Sequence, residues 1–262
     1  MTLFDSDPNL DKEEDTWGQW EPRKYLDTFF NKLGPDSLLT LDFINKHLRT
    51  YEKNPVNKLI DFGSGPSALM ALAASRYTNE FHCADVLSSN LAELAKWINK
   101  DPTAFNWESA TREILKIEGL KPTVSNIRSR IRETRSKIKL LFCDANQEHP
   151  LGQSDKYPIG LAIFCADSAT NDFTTWNSFM NNILNIIAAR GEILIAALRK
   201  CSYYKFGDET YPSANIDEKD IETLLLQRKF KVDDLKVFPV VDCVDNGFSS
   251  IILAKGTKTS DL

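Results

Sequence analysis

Apolar residues follow two periodicities in this chain, and the two alternate. Residues 58–62, 80–85, 137–143, 160–166 and 191–198 are short apolar runs bounded by polar or glycine-containing segments, the pattern of strands. Residues 67–75, 88–100 and 173–187 instead repeat apolar positions at helical spacing, with Pro66 near the first turn of one and Ser88 or Ser89 opening another. Strands alternating with helices predict a parallel α/β sheet, and the Ile- and Leu-rich run ending at Leu198 suits a strand covered on both faces. Two helices precede the sheet, over 23–33 and 36–50, the second capped by Asp36 or Ser37 and buried along Leu38, Leu41, Ile44 and Leu48. After a helix over 218–228, the runs 232–241 and 249–254 read as two strands joined at Asp245-Asn246-Gly247, a hairpin turn signal.

The 262 residues, 42% hydrophobic and 26% charged, are enough to bury a full core, so disorder and small disulfide scaffolds are excluded. The expected organisation is an acidic leader and helical lid over 1–50 and a core over 51–262, with a basic helical insert near 104–137. The net charge of −5 is concentrated in the leader, where Asp5, Asp7, Asp11, Glu13, Glu14 and Asp15 face only Lys12. Residues 121–139 reverse the sign with seven cations against Glu133. Because Ile127, Ile131, Thr134 and Ile138 fall near helical spacing, these cations read as the solvated face of an amphipathic helix, and no aromatic platform accompanies them to suggest nucleic acid. The five cysteines contain no C-x-x-C pair and the three histidines are scattered, so reduced thiols and no metal site are expected. No apolar run reaches bilayer length and the N-terminus is acidic; a cytoplasmic, monomeric protein acting on a small molecule, with no membrane or nucleic-acid partner, is the expectation.

The chemistry concentrates where the first strand ends. Asp61-Phe62-Gly63-Ser64-Gly65-Pro66 is a strand, a glycine turn and a helix start, and Asp85 closes the next strand. Glycines 63 and 65 permit a tight turn and close ligand approach, and the helix presents free N–H groups. A carboxylate at Asp85 suits the two hydroxyls of a ribose. The third glycine of the dinucleotide fingerprint is missing, since Leu69-Met70 follows. With an acid, Asp61, directly inside the turn, S-adenosylmethionine, whose amino acid end is cationic, is favoured over NAD.

A parallel sheet ending in an antiparallel hairpin is the arrangement of Class I methyltransferases. The motif around Gly63, the segment Asp85 to Trp97, Phe105-Asn106-Trp107 and Ser202-Tyr203-Tyr204 together resemble the nicotinamide, phenylethanolamine and indolethylamine N-methyltransferase family, from about Trp20 to the hairpin. The resemblance implies a Rossmann-like fold with a mainly parallel seven-stranded sheet and an N-terminal helical lid. It implies S-adenosylmethionine as cofactor, held by Tyr25, Phe30, Gly63, Ser64, Gly65, Asp85, Asn90, Asp144, Ala145 and Ile163. It places the acceptor against Tyr25, Phe164, Tyr204, Ser213, Asp242 and Asp245, with Tyr25 and Asp242 as the candidate catalytic residues. Read without it, Ile163 and Phe164 are buried strand residues and Asp245 an exposed turn acid. One departure stands out: the carboxylate with which nicotinamide enzymes grip their substrate at the end of the fifth strand is here Ala197. The expected activity is therefore N-methylation of a small amine or guanidine-like metabolite in specialised metabolism, with the amine's proton passing to Asp242, Asp167 or Tyr25. An O-, S- or Se-methyltransferase on the same scaffold, or a non-catalytic nucleoside-cofactor-binding protein, are the alternatives.

Overall fold

Seven strands build the central sheet of the computed structural model, which describes residues 20–152, 155–207 and 209–259. In chain order the main-sheet strands are β1 (Val56–Phe62), β2 (Thr78–Asp85), β3 (Ile138–Phe142), β4 (Tyr157–Ile163), β5 (Ile187–Leu198), β8 (Phe230–Pro239) and β9 (Ser250–Lys258), while β6 (Tyr203–Phe206) and β7 (Glu209–Pro212) form a separate antiparallel pair. The main sheet runs β3-β2-β1-β4-β5-β9-β8, parallel up to β5, with β9 inserted antiparallel between β5 and β8. Among the described residues the α-helices are α1 (Pro22–Phe29), α2 (Pro35–Leu48), α3 (Leu69–Ala74), α4 (Ser88–Ile98), α5 (Glu108–Ile117), α6 (Val124–Lys137), α7 (Phe173–Asn185) and α8 (Glu218–Gln227).

Two apolar layers cover the sheet. Leu26, Phe30, Ile44, Leu72, Trp97 and Trp107 lie in one, and Trp176, Ile183, Ile221 and Phe230 in the other. All six residues of α3 are buried because α2, α5 and α6 close over it, and this is the structural work of the insert. The order reverses between β1 and β4, so their carboxyl ends flank a crevice, the place where open α/β sheets bind ligands.

Several local expectations change. Helix α2 starts after Gly34 with Pro35 in its first position, so Asp36 lies inside the first turn and does not cap it. Helix α4 has Leu87 at its N-cap, and the Leu87 amide donates to the carboxylate of Asp85. The solvated basic face of α6 is interrupted by Arg130, 6% exposed, which makes a bidentate pair with the buried Glu118 and donates to the Leu72 carbonyl. That cation is a core tie between α6, α5 and α3. The strands β8 and β9 do pair, but through a 3-10 segment over Val241–Asn246 and a left-handed Gly247, φ +99°. A two-residue turn at Asp245-Asn246-Gly247 does not form, because the connection crosses to β6 and contributes Phe248 to a cavity wall. No helix among the described residues is long and apolar enough to cross a membrane.

Candidate active site

Strand β1 delivers Asp61 and the glycine turn to the crevice, and β2 delivers Asp85 beside them. Gly63 and Gly65 take left-handed φ angles of +60° and +59°, which let the turn fold back until the Ser64 amide meets the Ala84 carbonyl at 3.0 Å. Asp85 gathers three donors: the Gly65 amide at 2.8 Å, the Leu87 amide at 2.8 Å and the Asn90 side-chain amide at 3.1 Å. Asn90 in turn accepts from the Trp20 indole N–H at 2.8 Å, tying the start of the lid to the strand ends. Burial raises the Asp85 carboxyl above its ordinary range, and these hydrogen bonds pull it back.

A cavity of about 520 Å³ opens above this turn, within the usual size of a cofactor and small-substrate pocket. Tyr25, Phe30, Gly63, Ser64, Gly65, Asp85, Asn90, Asp144, Ala145, Ile163, Phe164 and Tyr204 all line it. Asp61 also faces it, 2% exposed and without a hydrogen-bond or ion-pair partner among the described residues, so burial and then the Asp85 charge push its carboxyl well up. A buried carboxylate left without a donor at the methionine end of such a site suits an ammonium group, and the residues present therefore fit S-adenosylmethionine. At the neighbouring carboxyl end of β3, Asp144 accepts from the Asn146 amide and side chain, at 2.8 and 2.9 Å, which holds the loop carrying Ala145. Beneath, Phe164 takes a left-handed φ of +49°, unusual for an aromatic residue, as the chain leaves β4 and turns along the cavity floor.

The lid is docked. Leu26 and Phe30 are buried in the core, Phe30 packs on Trp107 with ring centroids 5.4 Å apart, and Arg23 pairs with the buried Glu93 at 2.7 Å. Tyr25 contacts Trp20 and Phe29 at 4.8 and 5.1 Å and meets Phe206 of β6 edge-on at 5.7 Å. Burial first, then Asp36 and Asp85, push the Tyr25 hydroxyl far above its ordinary value of 10, which disfavours the phenolate. Tyr204 stacks on Tyr211 at 5.5 Å, so the β6–β7 pair supplies an aromatic side wall.

Other expected residues lie elsewhere. Ser213 is 1% exposed beside Cys201 and does not reach the cavity. Asp245 is exposed and off the lining, as an ordinary turn acid would be. The side chain of Asp242, like Trp17 and the acidic leader over 1–19, lies outside the described residues. Asp167 is buried off the lining, where it accepts from the Leu198 amide at 2.8 Å and so anchors the end of β5. Ala197 is buried within the sheet, and the neighbouring Leu198 reaches the cavity instead. Among the lining residues that sequence reasoning left without a role are Trp20, Asp36, Cys165 and Phe248. The trace of Asp36 in the sequence was the pair Asp36 and Thr40, polar residues one turn apart on an otherwise apolar helix face.

The sequence profile of the NNMT/PNMT/TEMT family matches residues 9–246. The chain belongs to that family. Human nicotinamide N-methyltransferase is 25% identical to this chain over 232 residues, covering 86% of this chain and 87% of that one. Human phenylethanolamine N-methyltransferase is 25% identical over 251 residues, covering 89% and 86%. Among solved structures, 1,6-didemethyltoxoflavin-N1-methyltransferase from Burkholderia thailandensis, crystallised with S-adenosylhomocysteine, superposes with a TM-score of 0.58 at 12% identity, covering 98% of this chain and 94% of that one. The N-methyltransferase NodS from Bradyrhizobium japonicum WM9 gives 0.56 at 10% identity, covering 93% and 98%. At these identities the solved structures establish the fold, the Class I methyltransferase arrangement. With the NNMT/PNMT/TEMT membership, the protein is an S-adenosylmethionine-dependent N-methyltransferase.

Proposed function

We propose that this NNMT/PNMT/TEMT-family enzyme methylates the nitrogen of a small amine held between the lid and the β6–β7 wall. The observation that carries this reading is the continuity of one cavity from Asp61 and Asp85 to the aromatic faces of Tyr25 and Tyr204. When bound, the cofactor supplies an activated methyl group with a neutral thioether as leaving group. The chain's own work is then placement and exclusion of water. Asp61 receives the cofactor's ammonium, Gly63, Ser64 and Gly65 give it backbone room, and Asp85 takes the ribose hydroxyls, with Asn90 beside it. Asp144 and Ala145 flank the adenine, Ile163 and Phe164 form the floor, and Phe30 backs the lid. Tyr25 caps the reacting end, where a closed lid excludes water and aligns the acceptor nitrogen about 3 Å from the methyl carbon.

No nucleophilic side chain is needed, because the acceptor's lone pair attacks directly. The absence of a carboxylate at Ala197 speaks against nicotinamide, whose amide N–H would be buried without that acceptor. A mass-spectrometric screen of amines for gain of one methyl group, with purified protein and S-adenosylmethionine, tests the proposal. Turnover of amines supports it, and methylation confined to hydroxyl or thiol acceptors overturns it.

A further inference from the structure

Four carboxylates line the cavity, Asp36, Asp61, Asp85 and Asp144, against Lys205 as the one cation among the described lining residues. Three of the four have work in the cofactor reading. Asp61 and Asp85 sit at the strand ends, and Asp144 is engaged by Asn146 and by the Gln147 side chain at 2.9 Å. Asp36 has none, and it reaches the cavity from the first turn of α2 rather than from a strand end. Asp36 and Asp85 line the same cavity as Tyr25, and the charges of both act on its hydroxyl. At its carboxylate Asp36 meets only local neutral donors, the backbone amides of Asp36 and Ser37, Ser37 Oγ at 3.5 Å and the Cys243 thiol at 3.9 Å, with no Lys or Arg paired to it among the described residues. Its backbone, by contrast, is held, since Thr40 Oγ1 donates to the Asp36 carbonyl at 2.8 Å.

We propose that Asp36 receives the acceptor nitrogen and selects acceptors that carry a positive charge. The inference rests on the reading of this cavity as a methyltransferase site. A half-buried carboxylate without a cationic partner can accept N–H bonds from an ammonium, and charge-assisted bonds of this kind are the strong ones. The faces of Tyr25, Tyr204 and Phe248, all on the lining, hold a cation in the same region by cation–π contact. Asp36 therefore takes over from the carboxylate missing at Ala197, from a different element, and the exposed Asp245 has no part in it. Before its lone pair is free, an ammonium must lose one proton. Transfer to an oxygen of Asp36 breaks one N–H bond, forms one O–H bond and leaves a neutral amine hydrogen-bonded to a carboxylic acid, with net charge unchanged.

The test is calorimetric titration of arylalkylamines, 2-phenylethylamine first, and of their uncharged alcohol isosteres into protein saturated with S-adenosylhomocysteine. Wild type should bind the amines at least about tenfold more tightly than the alcohols. Asp36→Asn, nearly the same shape without the charge, should erase that preference, while Asp36→Glu should retain part of it. S-adenosylhomocysteine affinity should stay within about twofold in all three, since the cofactor end is untouched. Asp36→Asn that keeps the preference overturns the proposal, as does wild type that binds amine and alcohol equally. The second result needs no variant to fold. Failure of wild type to bind S-adenosylhomocysteine would instead bring down the cofactor reading beneath it.

Discussion

Replacing Asp85 with alanine should injure the fold and the cofactor site together, by amounts that can be separated. The carboxylate terminates hydrogen bonds from Gly65, Leu87 and Asn90. A buried donor left without a partner costs about 1 to 3 kcal/mol. The site borders a cavity that water can enter, so the lower end applies, or about 3 kcal/mol for the three donors. For a domain of this size each kcal/mol lowers the thermal midpoint by about 2 to 4 °C, so Asp85→Ala should melt about 6 to 12 °C below wild type. Losing the charge-assisted bonds to the ribose should weaken S-adenosylhomocysteine about ten- to a hundredfold. Asp85→Asn keeps one acceptor oxygen and the shape, so it should lose less stability while still losing affinity. Scanning fluorimetry gives the first quantity and calorimetry the second. An alanine variant that melts with wild type and binds S-adenosylhomocysteine equally would refute both the hydrogen-bond hub and the ribose assignment.

Other expectations follow from single contacts. Gly63→Ala forces a left-handed φ on a residue with a Cβ and drives that Cβ into Cys165, so cofactor affinity should collapse by more than tenfold, measured by calorimetry. Burial holds the Asp167 carboxyl up to about 7 against an ordinary 3.8, so between these values the folded chain keeps a proton that the unfolded chain releases. The stability this contributes is whole below about pH 4 and lost as the pH rises through 7; denaturant titrations should show a shallower fall of stability over this range in Asp167→Asn than in wild type. Trp20→Phe removes the indole bond to Asn90, so amide exchange across 20–33 should quicken while exchange in β4 and β5 is unchanged. Nicotinamide should be turned over negligibly by the purified enzyme, and efficient formation of 1-methylnicotinamide would show that another group holds the amide.

What could be seen in the sequence was local. Asp61, the glycine pair and Asp85 were legible because strand ends and glycine turns are written in consecutive residues, and the alternation of strands and helices carried the mainly parallel sheet with them. The lid was legible through its aromatic residues. What escaped was decided at long range. Asp36 looked like a helix cap because its cavity is made by loops distant in sequence, and Pro35 supplied the helix start instead. Arg130 looked solvated because Glu118, its partner, belongs to another helix. The Asp245-Asn246-Gly247 segment had the residues of a tight turn, but the chain there crosses to Tyr203 and Tyr204 and walls the cavity. The β6–β7 pair is too short and too polar outside Tyr204, Phe206 and Tyr211 to stand out from a loop.

Transfer of a methyl group from S-adenosylmethionine to the nitrogen of a small amine is the work proposed for this cavity. The most direct measurement incubates the purified protein with S-adenosylmethionine carrying an isotope-labelled methyl group and a panel of primary and secondary amines, and reads the products by tandem mass spectrometry. The expected result is the labelled methyl on nitrogen of at least one cationic amine, with S-adenosylhomocysteine formed in equal amount. Labelled methyl found only on oxygen or sulfur acceptors, or no S-adenosylhomocysteine above the uncatalysed level with any amine, would contradict it.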